Sequence, residues 1–150
     1  MATVISQGTA LIAAPPKRVL SYVAQYRTKS SRAACAPERE ICVSQSDDYL
    51  VLIDVEDQDG IPVNLLGLTE ARFVVAEKNT AGAMLIDKKL SDLTIRRGAN
   101  TNLYFELRSA ELGALSPGRK YHELRLTNSA GWHQTVMLGA FLIQDTLIGD

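Results

Sequence analysis

Residues 116–143 read SPGRKYHELRLTNSAGWHQTVMLGAFLI, which is two strand-like runs separated by a tight turn. The runs are Arg119–Thr127 and Trp132–Gln144, and the residues between them, Asn128–Gly131, are small and polar as in chain reversals. A second turn signal, Ser116–Gly118, precedes the first run. This stretch predicts a β-hairpin with two long strands.

Further strand-like runs lie outward from this hairpin, separated by turn signals at short intervals. They are Tyr49–Glu56, Ala71–Lys78, Ala83–Leu90, Leu93–Arg97 and Asn102–Arg108. A single helical turn is predicted at Ser109–Leu115, which begins with serine and contains helix formers. Seven strands in about 100 residues predict an all-β protein with an immunoglobulin-like β-sandwich.

The last predicted strand is apolar on both faces. Alternation places one set of side chains on one face, namely Val136, Leu138, Ala140 and Leu142. It places Met137, Phe141 and Ile143 on the other face. Either the N-terminal segment covers this second face, or Met137, Phe141 and Ile143 form an interface with another subunit, because an exposed apolar patch of that size favours association.

Residues 1–48 differ from the rest and are predicted to form a docking arm and linker, followed by the sandwich at 49–150. After Pro15 and Pro16, four apolar residues recur at helical spacing: Val19, Leu20, Val23 and Tyr26. They predict a short helix over Lys17–Tyr26 whose apolar residues contact a neighbouring protein, although an extended arm packed on the body fits the same residues. Thr28–Ala34 is small and polar, as expected of a hinge.

The charges are divided unevenly between arm and body. The 150 residues carry a net charge of -1, with 46% hydrophobic and 22% charged residues. Residues 1–34 hold five basic side chains and no acidic one, so the acidic residues all belong to the remainder. This composition argues against a disordered chain and against a uniformly basic nucleic-acid binder. No apolar run approaches the roughly 18 residues of a membrane-spanning helix, so neither nucleic acid nor membrane is an expected partner.

Motifs that would indicate catalysis or cofactor binding are missing from the sequence. No G-x-G occurs, and neither does the G-x-S-x-G of a hydrolase nucleophile. The two histidines, His122 and His133, are predicted on adjacent strands and are too few for an ordinary catalytic zinc site. The acidic turn Asp57–Gly60 departs from the EF-hand pattern, which leaves a looser calcium loop or a solvated turn. We therefore expect no enzyme and no cofactor, and we assign no metal site, while both alternatives for the Asp57–Gly60 turn stay open.

Cys35 and Cys42 are the only cysteines, and they are separated by six residues. This spacing matches neither a C-x-x-C redox motif nor a zinc site. Three alternatives stay open: a disulfide within the chain, a disulfide between subunits, and two free thiols.

The chain offers one side chain suited to stacking on a sugar. Trp132 follows the Gly131 turn, where it is either an exposed platform or a core residue at the strand edge. A carbohydrate-binding β-sandwich module is therefore the alternative function that the sequence supports.

The order of segments from Asp57 to Gln144 resembles the immunoglobulin-like domains of tailed-bacteriophage structural proteins. The resemblance rests on Leu65–Gly67 before a strand, on the Pro117–Gly118 turn and on Tyr121–Leu124 in the strand that follows. Such domains occur at the N-terminus of baseplate upper proteins and in tail, neck and head appendages. The resemblance implies a non-enzymatic virion protein, made in the host cytoplasm, whose partners are copies of itself and other virion proteins.

Overall fold

The computed structural model describes residues 18–28, 35–78 and 82–145. Two β-sheets pack face to face and contain nine strands among these residues. The strands are β1 (Arg18–Gln25), β2 (Ile41–Ser44), β3 (Tyr49–Glu56), β4 (Leu68–Ala76), β5 (Met84–Lys89), β6 (Arg96–Arg97), β7 (Asn102–Leu107), β8 (Gly118–Asn128) and β9 (His133–Gln144). A 3₁₀ turn, Leu65–Gly67, precedes β4, and one helical turn, α1 (Ser109–Leu112), follows β7.

The strand order is that of an immunoglobulin-like sandwich. One sheet has four strands in the order β1-β3-β7-β6, and the other has five in the order β2-β9-β8-β4-β5. The hairpin β8–β9 lies at the centre of the five-stranded sheet and is paired antiparallel from Gly118 and Ile143 to Thr127 and His133. The predicted fold class is confirmed, and the seven predicted strands correspond to β3–β9.

The core lies between the sheets and is built by alternation along each strand. In β3, for example, Tyr49, Val51, Ile53 and Val55 point inward and are buried, while the residues between them point outward. Phe73 of β4 and Phe105 of β7 meet across the two sheets, with ring centroids 4.5 Å apart. Aromatic pairs at this separation are worth about 0.5–1.5 kcal/mol beyond the area they bury.

The predicted helix over Lys17–Tyr26 is wrong, since Arg18–Gln25 forms β1, an edge strand parallel to β3. The inward residues of this segment recur every second position, and Leu20, Tyr22, Ala24 and Tyr26 pack on the core. The buried Ala24 is completely inaccessible. A period of two makes a strand the conformation that buries this set, and pairing with β3 supplies its hydrogen bonds.

The predicted boundary at residue 48 is also wrong, because β1 and β2 belong to the two sheets of the sandwich. β2 pairs parallel with β9, in register from Ile41 and Phe141 to Ser44 and Gln144. The Arg27 amide donates to the Gln134 side chain at 2.6 Å, which ties the end of β1 to β9. Residues 1–17 and 29–34, including Lys17 and most of the predicted hinge, lie outside the described residues.

The two faces of β9 are the reverse of the prediction. Met137, Phe141 and Ile143 are buried in the core. The register shifts between Leu124 and Arg125 of β8, so that Val136 is an extra residue in β9 and is buried beside Met137. The predicted interface set is therefore part of the core, and the outer face of β9 carries Leu138, Ala140 and Leu142.

Candidate functional site

The outer face of the five-stranded sheet carries a strip of half-buried apolar side chains. Leu138, Ala140 and Leu142 lie on β9, and Ala140 pairs with Tyr121 of β8. Tyr121 in turn pairs with Ala76 of β4. The apolar strip is completed by the other members of this face: Val74 on β4 and the exposed Met84 on β5. Except for Leu142, these residues line a groove of about 770 Å³, together with charged side chains that include Glu38 and Glu123.

A row of cations runs across one end of this face. Lys89, Arg72 and Arg125 are neighbours on β5, β4 and β8. Arg72 donates to Asp87 through both Nε, at 2.9 Å, and Nη2, at 2.8 Å. These hydrogen bonds hold the pKa of the Asp87 carboxyl below its usual value, although partial burial opposes them. Arg125 has no ion-pair partner among the described residues, and the exposed Glu123 lies two residues before it on the same side of β8.

At the apolar end, one further arginine lies beside the strip. Arg119 pairs with Leu142 across β8 and β9, and its guanidinium lies 5.5 Å from the Tyr121 ring centroid. The stacked guanidinium covers one side of the aromatic ring. This face therefore combines an apolar strip with charged side chains of both signs, among them Glu123, whose carboxylate accepts a hydrogen bond from the Thr135 hydroxyl at 2.8 Å.

His122 lies beneath the groove and holds the segment before β2 against β9. Its Nε2 is 2.6 Å from the Arg39 carbonyl oxygen, and its buried Nδ1 has no partner among the described residues. Burial lowers the pKa of His122 below its ordinary value of 6.5, and the hydrogen bond to Arg39 opposes this only in part. Gly139 packs directly against the Arg39 backbone, where a Cβ would lie 3.0 Å from the amide nitrogen and closer still to the carbonyl oxygen.

The two histidines are not brought together. His122 points inward, whereas His133 is exposed and its Nδ1 contacts the Thr127 hydroxyl at 2.8 Å. In the acidic turn, the Asp57 carboxylate accepts hydrogen bonds from the amides of Asp59 and Ile61. Among the described residues, no group of three or more His, Cys, Asp or Glu side chains could hold a metal ion.

Cys35 and Cys42 are exposed free thiols, so the alternative of a disulfide within the chain is wrong. Cys42 lies on β2 beside Leu142, at the margin of the apolar strip. A bond between subunits stays a prediction.

The predicted arm residues divide between two environments. Leu20 and Tyr26 are partly buried and pack against the core. Val19 and Val23 are exposed on the outer face of the four-stranded sheet. The sequence periodicity did not separate these pairs, because both helical and strand spacing fit part of the set.

Exposed apolar residues also occur on the loops at one end of the sandwich. Trp132 is 74% exposed in the β8–β9 turn, so its assignment to the core is wrong. Ile61 and Leu66 are 58% and 61% exposed in the segment between β3 and β4. The pairing of Leu68 with Asn128 brings this segment to the same end of the sandwich as the turn. No helix in the described part of the chain is long and apolar enough to cross a membrane.

Comparison with known proteins gives structural likenesses only. The sequence matches no protein-family profile and no curated protein. The N-terminal domain of phage TP901-1 ORF48 is 12% identical, with a TM-score of 0.49 over 83% of this chain and 99% of that one. The fibronectin(III)-like modules of Clostridium thermocellum CbhA are 10% identical, with a TM-score of 0.38 over 74% and 93%. A multicopper oxidase is 12% identical, with a TM-score of 0.39 over 87% of this chain and 45% of that one. Identity at this level carries no information on activity.

Proposed function

We propose that this chain is a non-enzymatic structural protein of a bacteriophage virion, a component of the tail, baseplate, neck or head decoration. The observation that carries the proposal is the apolar strip on the outer face of the five-stranded sheet. The inner face of the same strands already has a complete set of core residues, including Met137, Phe141 and Ile143. The strip is therefore surplus to what the fold of a single chain requires, and association is the ordinary use of such a surface.

The sequence resemblance supports a virion as the assembly that this chain joins. The segments that resemble phage immunoglobulin-like domains run from Asp57 to Gln144, and they include most of the five-stranded sheet. In this proposal the partners are other copies of the chain and further virion proteins. Contacts are made through the outer faces of the sheets, and Val19 and Val23 contribute from β1 because they remain exposed after β1 has paired with β3.

The proposal is tested on particles rather than on the isolated protein. Virions are purified by density gradient from a culture that produces the chain, then probed by peptide mass spectrometry and by immunogold electron microscopy. We expect the chain in several copies per particle, with gold at one defined part of the virion. If gradient-purified particles lack the chain, the proposed function is wrong.

A carbohydrate-binding module is the second candidate, and the exposure of Trp132 favours it. An indole ring exposed in a turn can stack on a sugar ring, as a flat apolar platform does. The test is a glycan array with the wild-type protein and Trp132→Ala, with Leu66→Ala as the matched control at the same end. Binding that is lost in Trp132→Ala alone supports this candidate, whereas an array without hits contradicts it.

A further inference from the structure

A short segment before β2 is held against the edge of β9 by few contacts. It comprises residues 37–40, which we term the strap. The Arg39 amide donates to the Leu138 carbonyl at 2.8 Å, and the Leu138 amide donates to the Pro37 carbonyl at 3.2 Å. The Arg39 side chain also donates from Nε to the Val23 carbonyl at 3.2 Å. Local opening of a segment with so few bonds costs less free energy than global unfolding.

The imidazole of His122 makes a further contact with the strap. His122 pairs in register with Gly139, where a Cβ would lie 3.0 Å from the Arg39 amide nitrogen. The absence of a side chain at Gly139 leaves room for the Arg39 backbone, whose carbonyl oxygen is 2.6 Å from Nε2 of His122. A carbonyl oxygen only accepts hydrogen bonds, so Nε2 carries the hydrogen. Nδ1 is therefore the nitrogen that a second proton would join.

The surroundings of Nδ1 are apolar. This atom is buried and has no hydrogen-bond partner among the described residues. The Phe73 ring of β4 stacks on the imidazole, with ring centroids 5.8 Å apart. Val75, which pairs with His122 on β4, is completely buried. A second proton on His122 would therefore place a positive charge in the core, which is costly unless the charge is paired.

The charged groups near His122 do not compensate such a charge. Lys120 is also buried, two residues earlier on the inward side of β8, and its ammonium is held by Glu77 at 2.8 Å. Tyr22 packs on the core from β1, and burial raises the pKa of its hydroxyl, so it stays neutral. The residues that pair with His122 on β4 and β9 are uncharged. The strap contributes one cation and two exposed carboxylates, namely Arg39, Glu38 and Glu40.

We infer that the strap is an acid-sensitive closure: a second proton on His122 releases residues 37–40 from β9, so that water reaches the imidazolium. The neutral ring needs only its hydrogen bond to Arg39, whereas the charged ring is stable where water solvates Nδ1. Release also separates Arg39 from Val23, while Ile41 stays buried in β2. The change is local to one edge of the five-stranded sheet and does not depend on which assembly the chain joins.

The pH range of the closure follows from the two states of His122. In the closed state, burial lowers the pKa of His122 below its ordinary value of 6.5. In the open state the imidazole is solvated and titrates at about 6.5. The closed strap is therefore fully stable above that value and loses stability as the pH falls, until the lowered pKa is reached. Between the two values the ratio of open to closed strap rises about tenfold per pH unit.

Hydrogen exchange of single amides tests the closure. The full chain, labelled with nitrogen-15, is followed by NMR from about pH 7.5 to about pH 5, and the rates are corrected for the intrinsic pH dependence of exchange. The amides of Arg39 and Leu138 report on the strap, and those of β4 report on the middle of the sheet. We expect the strap amides to lose up to about tenfold of protection per pH unit below about 6.5. They should be far less protected than the β4 amides at every pH, because they exchange by local opening.

His122→Gln separates protonation from the hydrogen bond to Arg39. A glutamine amide can donate to the Arg39 carbonyl from the place of Nε2, but it does not titrate. We expect protection of the strap in this variant to be independent of pH. His133→Gln is the matched control, because it removes the exposed histidine and should keep the wild-type pH dependence.

A second measurement on the wild-type protein applies even if His122→Gln does not fold. Long-range proton–nitrogen spectra of the imidazole should show the hydrogen on Nε2 at neutral pH, and the titration of His122 should follow the opening of the strap. A hydrogen on Nδ1 instead, or a titration without opening, would overturn the inference.

Three outcomes of the exchange experiment would also overturn it. They are protection of the wild-type strap that does not change with pH, the same pH dependence in His122→Gln, and strap amides that are as protected as those of β4. The last outcome would mean that the strap opens only when the whole sandwich unfolds. None of these results bears on the presence of the chain in virions, so the proposed function is tested separately.

Discussion

Gly139 is the position where the packing of β9 against the segment before β2 can be tested most sharply. The residue has a φ of +150°, which side-chain-bearing residues rarely adopt. A Cβ at this position would lie 3.0 Å from the nitrogen and 3.1 Å from the carbonyl carbon of Arg39, and closer to its oxygen. Since these are backbone atoms, Gly139→Ala must displace the chain at Arg39 rather than rotate a flexible side chain.

The displacement acts on two hydrogen bonds made by the Arg39 backbone. Its amide donates to the Leu138 carbonyl at 2.8 Å, and its carbonyl lies 2.6 Å from Nε2 of His122. Each such bond is worth about 1 kcal/mol. Backbone strain and overpacking cost about 1–3 kcal/mol more. We therefore expect Gly139→Ala to lower the free energy of unfolding by about 3–5 kcal/mol, a large part of the roughly 5–15 kcal/mol typical of a domain.

Two other glycines separate the contributions to this loss. Gly131 has a φ of +83° but open space at the Cβ position, so Gly131→Ala reports backbone strain alone, about 1–2 kcal/mol. Gly67 has neither a positive φ nor a close neighbour, and Gly67→Ala is expected to be neutral or stabilising by up to about 1 kcal/mol. The assay is urea unfolding followed by circular dichroism. If Gly139→Ala lowers the free energy of unfolding by no more than Gly131→Ala does, the close approach of Gly139 to the Arg39 backbone does not destabilise the variant, and the reasoning is refuted.

Three further predictions concern buried charge, protonation and the first strand. The buried Lys120 ammonium donates a hydrogen bond to Glu77 at 2.8 Å. Lys120→Met should change the free energy of unfolding by less than about 1 kcal/mol. Glu77→Gln should lower it by about 1–3 kcal/mol, because a buried cation is left without its counter-ion. Because burial lowers the pKa of His122 in the folded state, the unfolded state binds the proton first; stability should fall as pH drops below 6.5 until the lowered pKa is reached. The limiting slope is about 1.4 kcal/mol per pH unit, and urea titrations between pH 7.5 and 5.5 should show a smaller slope in His122→Phe. Removal of residues 1–28 should lower the melting temperature markedly, since it strips β1 and uncovers core residues such as Val51; an unchanged melting temperature would contradict the placement of β1 in the sandwich.

The strands that were predicted from sequence are those whose pattern is local. In β7, Leu103, Phe105 and Leu107 alternate with polar residues, and no distant contact is needed to recognise which face is buried. β1 lacked such a clear signal, because Val19 and Val23 are four residues apart, a spacing that fits both a helical period and a period of two. Its conformation depends on pairing with β3, about 30 residues later, which local spacing does not encode.

The sequence predicted an apolar outer face on the last strand but not which residues form it. The sequence showed that both faces of the last strand are apolar, and the structure places apolar residues on both. The choice of Met137 and Phe141 as the outer set failed because the extra residue Val136 changes the pairing of β9 with β8. The charged parts of the two outer faces, such as Arg125 beside Arg72, arise from register between strands that are distant in sequence. Alternation within one strand does not indicate which charged residues become neighbours across the sheet.

The pairing of β2 with β9 has a consequence for how the protein is made. Ile41 and Phe141 are neighbours in the sheet but are separated by 100 residues of chain. Ribosomes add about 5–20 residues per second, so β2 waits roughly 5–20 seconds for its partner after it has been synthesised. During that interval the inward residues Ile41 and Val43 have no strand to pair with, so the nascent chain carries an unpaired apolar segment. Completion of the five-stranded sheet is thus a late event, and a chain stalled before β9 is expected to be prone to aggregation and a substrate for chaperones.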